Sequence, residues 1–346
     1  MGANTETTRR ETLAEGIGAL VLAFATSPAE ADENAVVPST YRASDEALAD
    51  TSDQALVKRL PGFSNDDADV NGIRLHFVQG GSGQPLFLLG GGGQTWWQFH
   101  KIMPDLAKHF RVIVVDIRGQ GSSGKPATGY DKKTMADDIR SLAQHLGYKR
   151  IYIAGHDIGA MVAYSFAANY PDETQRVALL DVPHPFEGFQ QISILPPPGA
   201  YDLSNPNHPP HPWWFALNQV SDLPEKLLQG RMNILLNWMF DYLARDKTAI
   251  SPFDRAVYIA AYEAPGAISA NTRWYQTFGQ DIEDLKHYGK LKTPVLGLGG
   301  ISYSFLAEFL SKYAESATLI ELKNTGHWVA EERPGETTAA LVKFFQ

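Results

Sequence analysis

The chain has 346 residues, 44% of them hydrophobic and 20% charged, with a net charge of −9, an ordinary globular balance with enough apolar residues for a sizeable core. It contains no cysteine, which excludes thiol catalysis, disulfides and cysteine-ligated metals. No basic run is dense enough for a nucleic-acid groove and no apolar run is long enough to cross a bilayer, so the acidic charge is read as solubility and stable membrane insertion is not expected.

In chain order, residues 1–31 resemble a twin-arginine export signal. Arg9 and Arg10 precede a modest apolar run, Ile17 to Ala25, and Ala29 to Ala31 offers a small-x-small cleavage site before Asp32. This implies a periplasmic or secreted protein. Glu11 and Glu15 are unusual in such a signal, and if the segment is only a helix the protein is cytoplasmic. Residues 32–65 are polar and irregular, an N-terminal extension. A hairpin turning at Asn71-Gly72 follows, then a buried strand ending in four glycines, Gly90 to Gly93. The segment Thr95 to Phe110 reads as helical, Arg111 to Pro126 as a buried strand with a loop, and Thr134 to Tyr148 as an amphipathic helix.

Ile151 to Ala163 reads as strand, sharp turn and helix, the helix continuing to Tyr170, and Arg176 to Pro183 reads as a further strand. From about Pro185 to Tyr288 the chain is rich in Pro, Trp and Tyr with helical periodicity and no convincing strand. Strand–helix alternation resumes at Thr293. The organisation is thus an α/β core over 66–185 and 289–346, interrupted by a helical cap over 186–288, with a mostly parallel sheet covered by helices on both faces.

The turn within Ile151 to Ala163 reads Gly155-x-Asp157-x-Gly159. Glycines on both sides let a strand-to-helix turn hold its central residue strained and exposed, the position of the serine in many hydrolases. A carboxylate there faces the positive end of the next helix. It suits displacement at a saturated carbon bearing a good leaving group, giving an alkyl ester that water must then cleave. An aspartate at such a turn is by itself more simply a helix cap. His327, between the last strand and the last helix, lies at the same sheet edge in such a fold and is the candidate base. His156 is read as packing. Asp181, at the end of its strand, is the candidate orienting acid, with Glu331 the runner-up. The backbone N–H groups of Ile158 and Gly92 are the candidate oxyanion donors. The glycine run lacks the context of a dinucleotide fingerprint.

Together "QTWWQFH", "VVDIRGQGSSGKP", "AGHDIGA", "LLDVPHP", "NTRWYQTF" and "NTGHW" resemble the epoxide hydrolase and dehalogenase group of α/β-hydrolases, from about Asp69 to the C-terminus. The resemblance implies an α/β-hydrolase fold, Asp157 as nucleophile, His327 as base and Asp181 as its acid. It further implies a cap tyrosine, Tyr275, that protonates the epoxide oxygen, and Trp97, Trp213 and Trp214 as substrate contacts. The implied substrate is a small apolar epoxide, with no metal or organic cofactor; a homodimer is compatible with it. Two departures stand out. Gly90 to Gly93 replaces the group's His-Gly-x-Pro, which implies a less rigid oxyanion loop. Ile158 replaces the Trp of haloalkane dehalogenases and the Arg of fluoroacetate dehalogenases. The alternatives are a dehalogenase using the same Asp157, or a binding protein on a disabled hydrolase fold.

Overall fold

The computed structural model describes residues 50–205, 208 and 210–346. The export signal expected over 1–31, and the extension as far as 49, lie outside the described residues. Eight strands build one sheet: β1 (Phe63–Val70), β2 (Ile73–Gly81), β3 (Pro85–Leu89), β4 (Arg111–Val115), β5 (Ile151–His156), β6 (Thr174–Leu180), β7 (Val295–Gly299) and β8 (Ala317–Glu321). Their order is β1-β2-β4-β3-β5-β6-β7-β8. β1 and β2 form an antiparallel hairpin and β2 pairs antiparallel with β4, while every pairing from β4 onward is parallel. At the hairpin turn Asn71 and Gly72 both have positive φ, 47° and 73°, as a two-residue type I′ turn requires.

Apart from polar residues at their ends, such as Arg111 on β4 and Thr174 to Arg176 on β6, the central strands are mostly apolar and buried on both faces. On β3, Phe87 and Leu89 join one core cluster while Leu86 and Leu88 join the other, the period of two that a strand imposes. β8 is the edge and is largely exposed. Helices α1 (Asp53–Val57), α2 (Met103–Leu106), α3 (Lys132–His145) and α4 (Ile158–Asn169) accompany the first strands. Between β6 and β7 come only helices among the described residues: α5 (Glu187–Gln190), α6 (Trp213–Gln219), α7 (Leu223–Leu228), α8 (Met232–Leu243), α9 (Pro252–Glu263), α10 (Ala267–Gln276) and α11 (Phe278–Leu285). The chain ends with α12 (Tyr303–Tyr313), α13 (Val329–Glu332) and α14 (Pro334–Phe345).

Two expectations differ in detail. Order begins before residue 66, since β1 starts at Phe63, and Leu56 of α1 and Leu60 are buried. The segment Thr95 to Phe110 is not one helix but a 3₁₀ turn, Trp96–Phe99, followed by α2. Pro104 in the first turn of α2 has no N–H to continue a ladder from the preceding turn.

The helices between β6 and β7 are fastened to the rest by buried polar contacts. Lys132, on α3, places Nζ 2.9 Å from Asp281 Oδ2 and 2.8 Å from the carbonyl oxygen of Trp274. Both side chains of the ion pair are fully buried, so removing one partner would cost roughly 3–5 kcal/mol. The Trp274 indole donates to the Arg118 carbonyl at 2.9 Å. These bonds hold α10 over the sheet edge where the strands β3, β5, β6 and β7 end.

Candidate active site

Parallel pairing aligns the strand ends. Leu89 pairs with Gly155, His156 with Leu180, and Leu180 with Leu298. The loops that follow β3, β5, β6 and β8 therefore open on one edge, on both sides of the point where the chain switches direction across the sheet. They carry Gly90–Gly93, Asp157, Asp181 and His327.

Asp157 has φ 53° and ψ −121°, a strained conformation for a residue with a side chain. Its flanking glycines are dictated by close approach: a Cβ on Gly155 would lie 2.0 Å from the Gly159 carbonyl oxygen, and one on Gly159 would lie 2.2 Å from that of Leu89. The Asp157 side chain makes no cap bond to α4, which removes the simple capping role. Instead its Oδ1 accepts the Gly92 N–H at 2.7 Å. Ile158 is the first residue of α4, where a backbone N–H has no intrahelical acceptor.

His327 Nε2 stands 3.7 Å from Asp157 Oδ2, and its Nδ1 is 2.7 Å from Asp181 Oδ2. Asp181 also has a positive φ, 66°, and its Oδ1 accepts the N–H groups of Gly300 and Ser302 at 2.8 and 3.2 Å. The acid is thus anchored by backbone and orients the ring. His327 is fixed through its own backbone too: its N–H donates to Leu243 and its carbonyl accepts from His156 Nε2 at 2.8 Å. His156 is buried, as expected, but works as a support beneath His327; burial, then the charge of His327, pushes its pKa down to about 4. Burial opposes charge on His327, but the hydrogen bond and charge of Asp181, with Asp157 adding, outweigh it and raise its pKa above the usual histidine value. Glu331 is elsewhere. Its carboxylate meets Tyr258 at 2.5 Å and Lys101 at 2.9 Å, and burial raises its pKa to about 7.

A cavity of about 380 Å³ lies against Asp157 and His327. Phe189, Phe215, Leu236, Met239 and Phe305 give it apolar walls. No lysine or arginine is among the described residues that line it. Tyr275 enters from α10. A Cβ added to Gly92 would lie 3.2 Å from the Tyr275 hydroxyl and 3.3 Å from Asp157 Oδ1, so phenol and carboxylate border the same small volume. Burial and then the charge of Asp157 raise the Tyr275 pKa well above the usual phenol value, which keeps the proton on the ring oxygen. Gln219 Nε2 donates to the Tyr275 carbonyl at 2.7 Å.

Of the three tryptophans, only Trp214 lines the cavity, and its hydrogen bond to Tyr275 offsets a small part of the rise in the Tyr275 pKa. Trp213 instead packs edge-on against Trp238, ring centroids 5.6 Å apart. Neighbouring helix residues point about 100° apart, so both cannot face one cavity. Trp97 is also absent from the lining: its indole donates to Asp254 at 2.7 Å and its ring stacks on His100 at 4.3 Å. Sequence reasoning missed Tyr262 and Asn271, which both line the cavity. Asn271 could have been found, since it precedes Tyr275 by one helical turn.

Among the described residues, two histidine–carboxylate groups have metal-like spacing, Asp53 with His76 and Asp116, and His100 with Asp254 and Glu331. Neither lines the cavity. Their oxygens already accept from Trp96, Trp97, Ser122, Ser251 and Tyr258, and these networks tie loops together.

Comparison with known proteins places the fold. Residues 84–334 match the alpha/beta hydrolase fold family. A soluble epoxide hydrolase from Corynebacterium sp. strain C12 is 35% identical over 291 residues, 82% of this chain and 97% of that one. A fluoroacetate dehalogenase from Burkholderia sp. is 26% identical, covering 82% of this chain and 94% of its own. Among solved structures, Cfl2 from Burkholderia cenocepacia aligns with a TM-score of 0.75 at 34% identity, over 83% of this chain and 97% of that chain. The chain belongs to the alpha/beta hydrolase fold family.

Proposed function

We propose that the protein is an epoxide hydrolase and that the helices of 186–288 form the cap over its site. The observation that carries the reading is a single carboxylate, Asp157, gripped by the Gly92 N–H through one oxygen, with the other oxygen facing His327 and with the Tyr275 phenol beside it. Asp157 Oδ2 attacks a ring carbon, the carbon–oxygen bond breaks, and the departing oxygen takes the Tyr275 proton. His327, neutral and oriented by Asp181, then takes a proton from water as the hydroxide adds to Asp157 Cγ. Charge gathers on Oδ1, beside the N–H groups of Gly92 and Ile158. Collapse frees the diol, and the two protons of the attacking water end on the leaving alkoxide and on Tyr275. The 3.7 Å between His327 Nε2 and Asp157 Oδ2 exceeds a hydrogen bond and suits a base whose partner is water.

The relatives include an epoxide hydrolase and a fluoroacetate dehalogenase. A cavity with no lysine or arginine among the described residues that line it argues against a carboxylate-bearing substrate and for a neutral, apolar one. Trp214 and Tyr275 both offer donors there, so a neutral alkyl halide is the second reading. Intact mass of His327→Gln after exposure to a phenyl-substituted epoxide or an alkyl bromide separates the two. A gain equal to the whole epoxide, lost when Asp157→Asn is added, is the expected result. A gain of the alkyl group from the bromide alone would turn the reading to a dehalogenase. No adduct from either, in a folded protein, would leave a binding protein on a disabled hydrolase fold. We also propose export on residues 1–31; a mature N-terminus at Asp32, lost with Arg9→Lys and Arg10→Lys together, is the expected observation.

A further inference from the structure

The four-glycine loop lacks the proline and histidine that the resemblance leads one to expect, yet it is tied at successive residues. From below, buried Gln120 donates its Nε2 to the carbonyls of Gly91 and Gln94 at 2.8 and 3.0 Å, while its Oε1 accepts from Ile117 N–H at 3.2 Å. From above, the Tyr262 hydroxyl on α9 accepts the Gly93 N–H at 2.7 Å. Between these ties lies Gly92, whose N–H points at Asp157 Oδ1. Gly93 needs its positive φ of 78°, and a Cβ on Gly91 would lie 2.4 Å from that of Asp157. The sequence of glycines allows this path; Gln120 and Tyr262 select it.

Resting on the hydrolase reading above, we propose that Tyr262 and Gln120 are positioning residues that together aim the Gly92 N–H at the oxygen where the oxyanion forms, and that their effect falls on the second half of the reaction. A donor on Oδ1 favours the states in which that oxygen is charged. Those are the resting carboxylate and the tetrahedral intermediate; the ester between them is neutral. Loosening the donor therefore leaves attack on the epoxide unslowed while retarding ester hydrolysis. A residue that merely held the fold would damage both steps alike.

The test is Tyr262→Phe, which keeps the ring and removes the acceptor, with Gln120→Leu as the second variant. Under turnover with a phenyl-substituted epoxide, each variant with His327 intact should carry the ester adduct as its main species by intact mass. Expected values are a roughly ten- to hundredfold lower kcat, a KM lowered in parallel, and an unchanged kcat/KM. Tyr262→Phe combined with His327→Gln should acquire the adduct as fast as His327→Gln alone, which also reports an intact site. If kcat and kcat/KM fall together without adduct, or if both variants behave as the parent, the positioning role is overturned. Absence of adduct in His327→Gln itself would instead remove the hydrolase reading.

Discussion

The rim of the sheet and the helices above it contribute to the same cavity in different ways. On the rim, Asp157 and Asp181 sit at positive φ, and backbone N–H groups of Gly92, Gly300 and Ser302 grip their carboxylates. The groups that carry charge are thus held by the main chain, which has little freedom to yield. From the helices come Tyr275, Tyr262 and Trp214, each a side chain on one face of a helix among apolar neighbours. Tyr275 and Trp214 border the cavity, while Tyr262 also reaches back to the rim through the Gly93 N–H. Under the proposed function, the contrast places the reacting carboxylate at the strand ends and the donor to the leaving group above them.

Substitutions can break or sharpen this contrast. The largest effect belongs to the rim: Asp157→Ala should reduce turnover of any substrate by about 10⁴-fold or more and abolish every mass adduct. Residual turnover with adduct formation at another residue would undo the assignment. Asp181→Asn should lower kcat by about 10²–10⁴-fold and move the pH profile. In the proposed mechanism His327 acts as the neutral base, and its raised pKa places the expected rise of ester hydrolysis above the usual histidine value. Without the Asp181 charge that limb should move to lower pH. The same raised pKa contributes stability below the unfolded-state value and loses it as pH climbs through the folded value, so the parent's pH-dependent stabilisation should shrink in this variant.

Above the rim, Tyr275→Phe should slow epoxide opening by about 10²–10³-fold. An alkyl bromide, whose leaving group needs no proton, should suffer far less. Equal losses for both substrates would show that Tyr275 shapes the site without donating its proton. Trp214→Phe should change kcat/KM by about fivefold, the worth of one neutral donor, while Trp213→Phe, packed on Trp238 away from the cavity, stays within the error of the assay. The smallest effect on activity is expected for Trp97→Phe. It leaves kinetics unchanged but strips Asp254 of a buried donor, so the melting temperature should drop by about 2–8 °C.

Local pattern and turn chemistry determine much of this protein. Alternating apolar runs announce the sheet, the paired glycines announce a strained Asp157, and His327 and Asp181 follow from where strands end. These are readable because strand period, turn residues and strand-end position are properties of short segments. Tertiary structure alone decides which adjacent tryptophan faces the cavity, because that depends on how α6 is rotated on its neighbours. It alone turns Trp97 toward Asp254 and Glu331 toward Lys101 and Tyr258. The clearest case is the glycine loop. Read by itself, Gly90 to Gly93 has no device to hold it; in the fold, Gln120 and Tyr262, 26 and 169 residues distant from their bonded partners Gln94 and Gly93, hold it at successive positions. Glycine leaves the backbone many conformations, and only side chains brought in from elsewhere can choose among them.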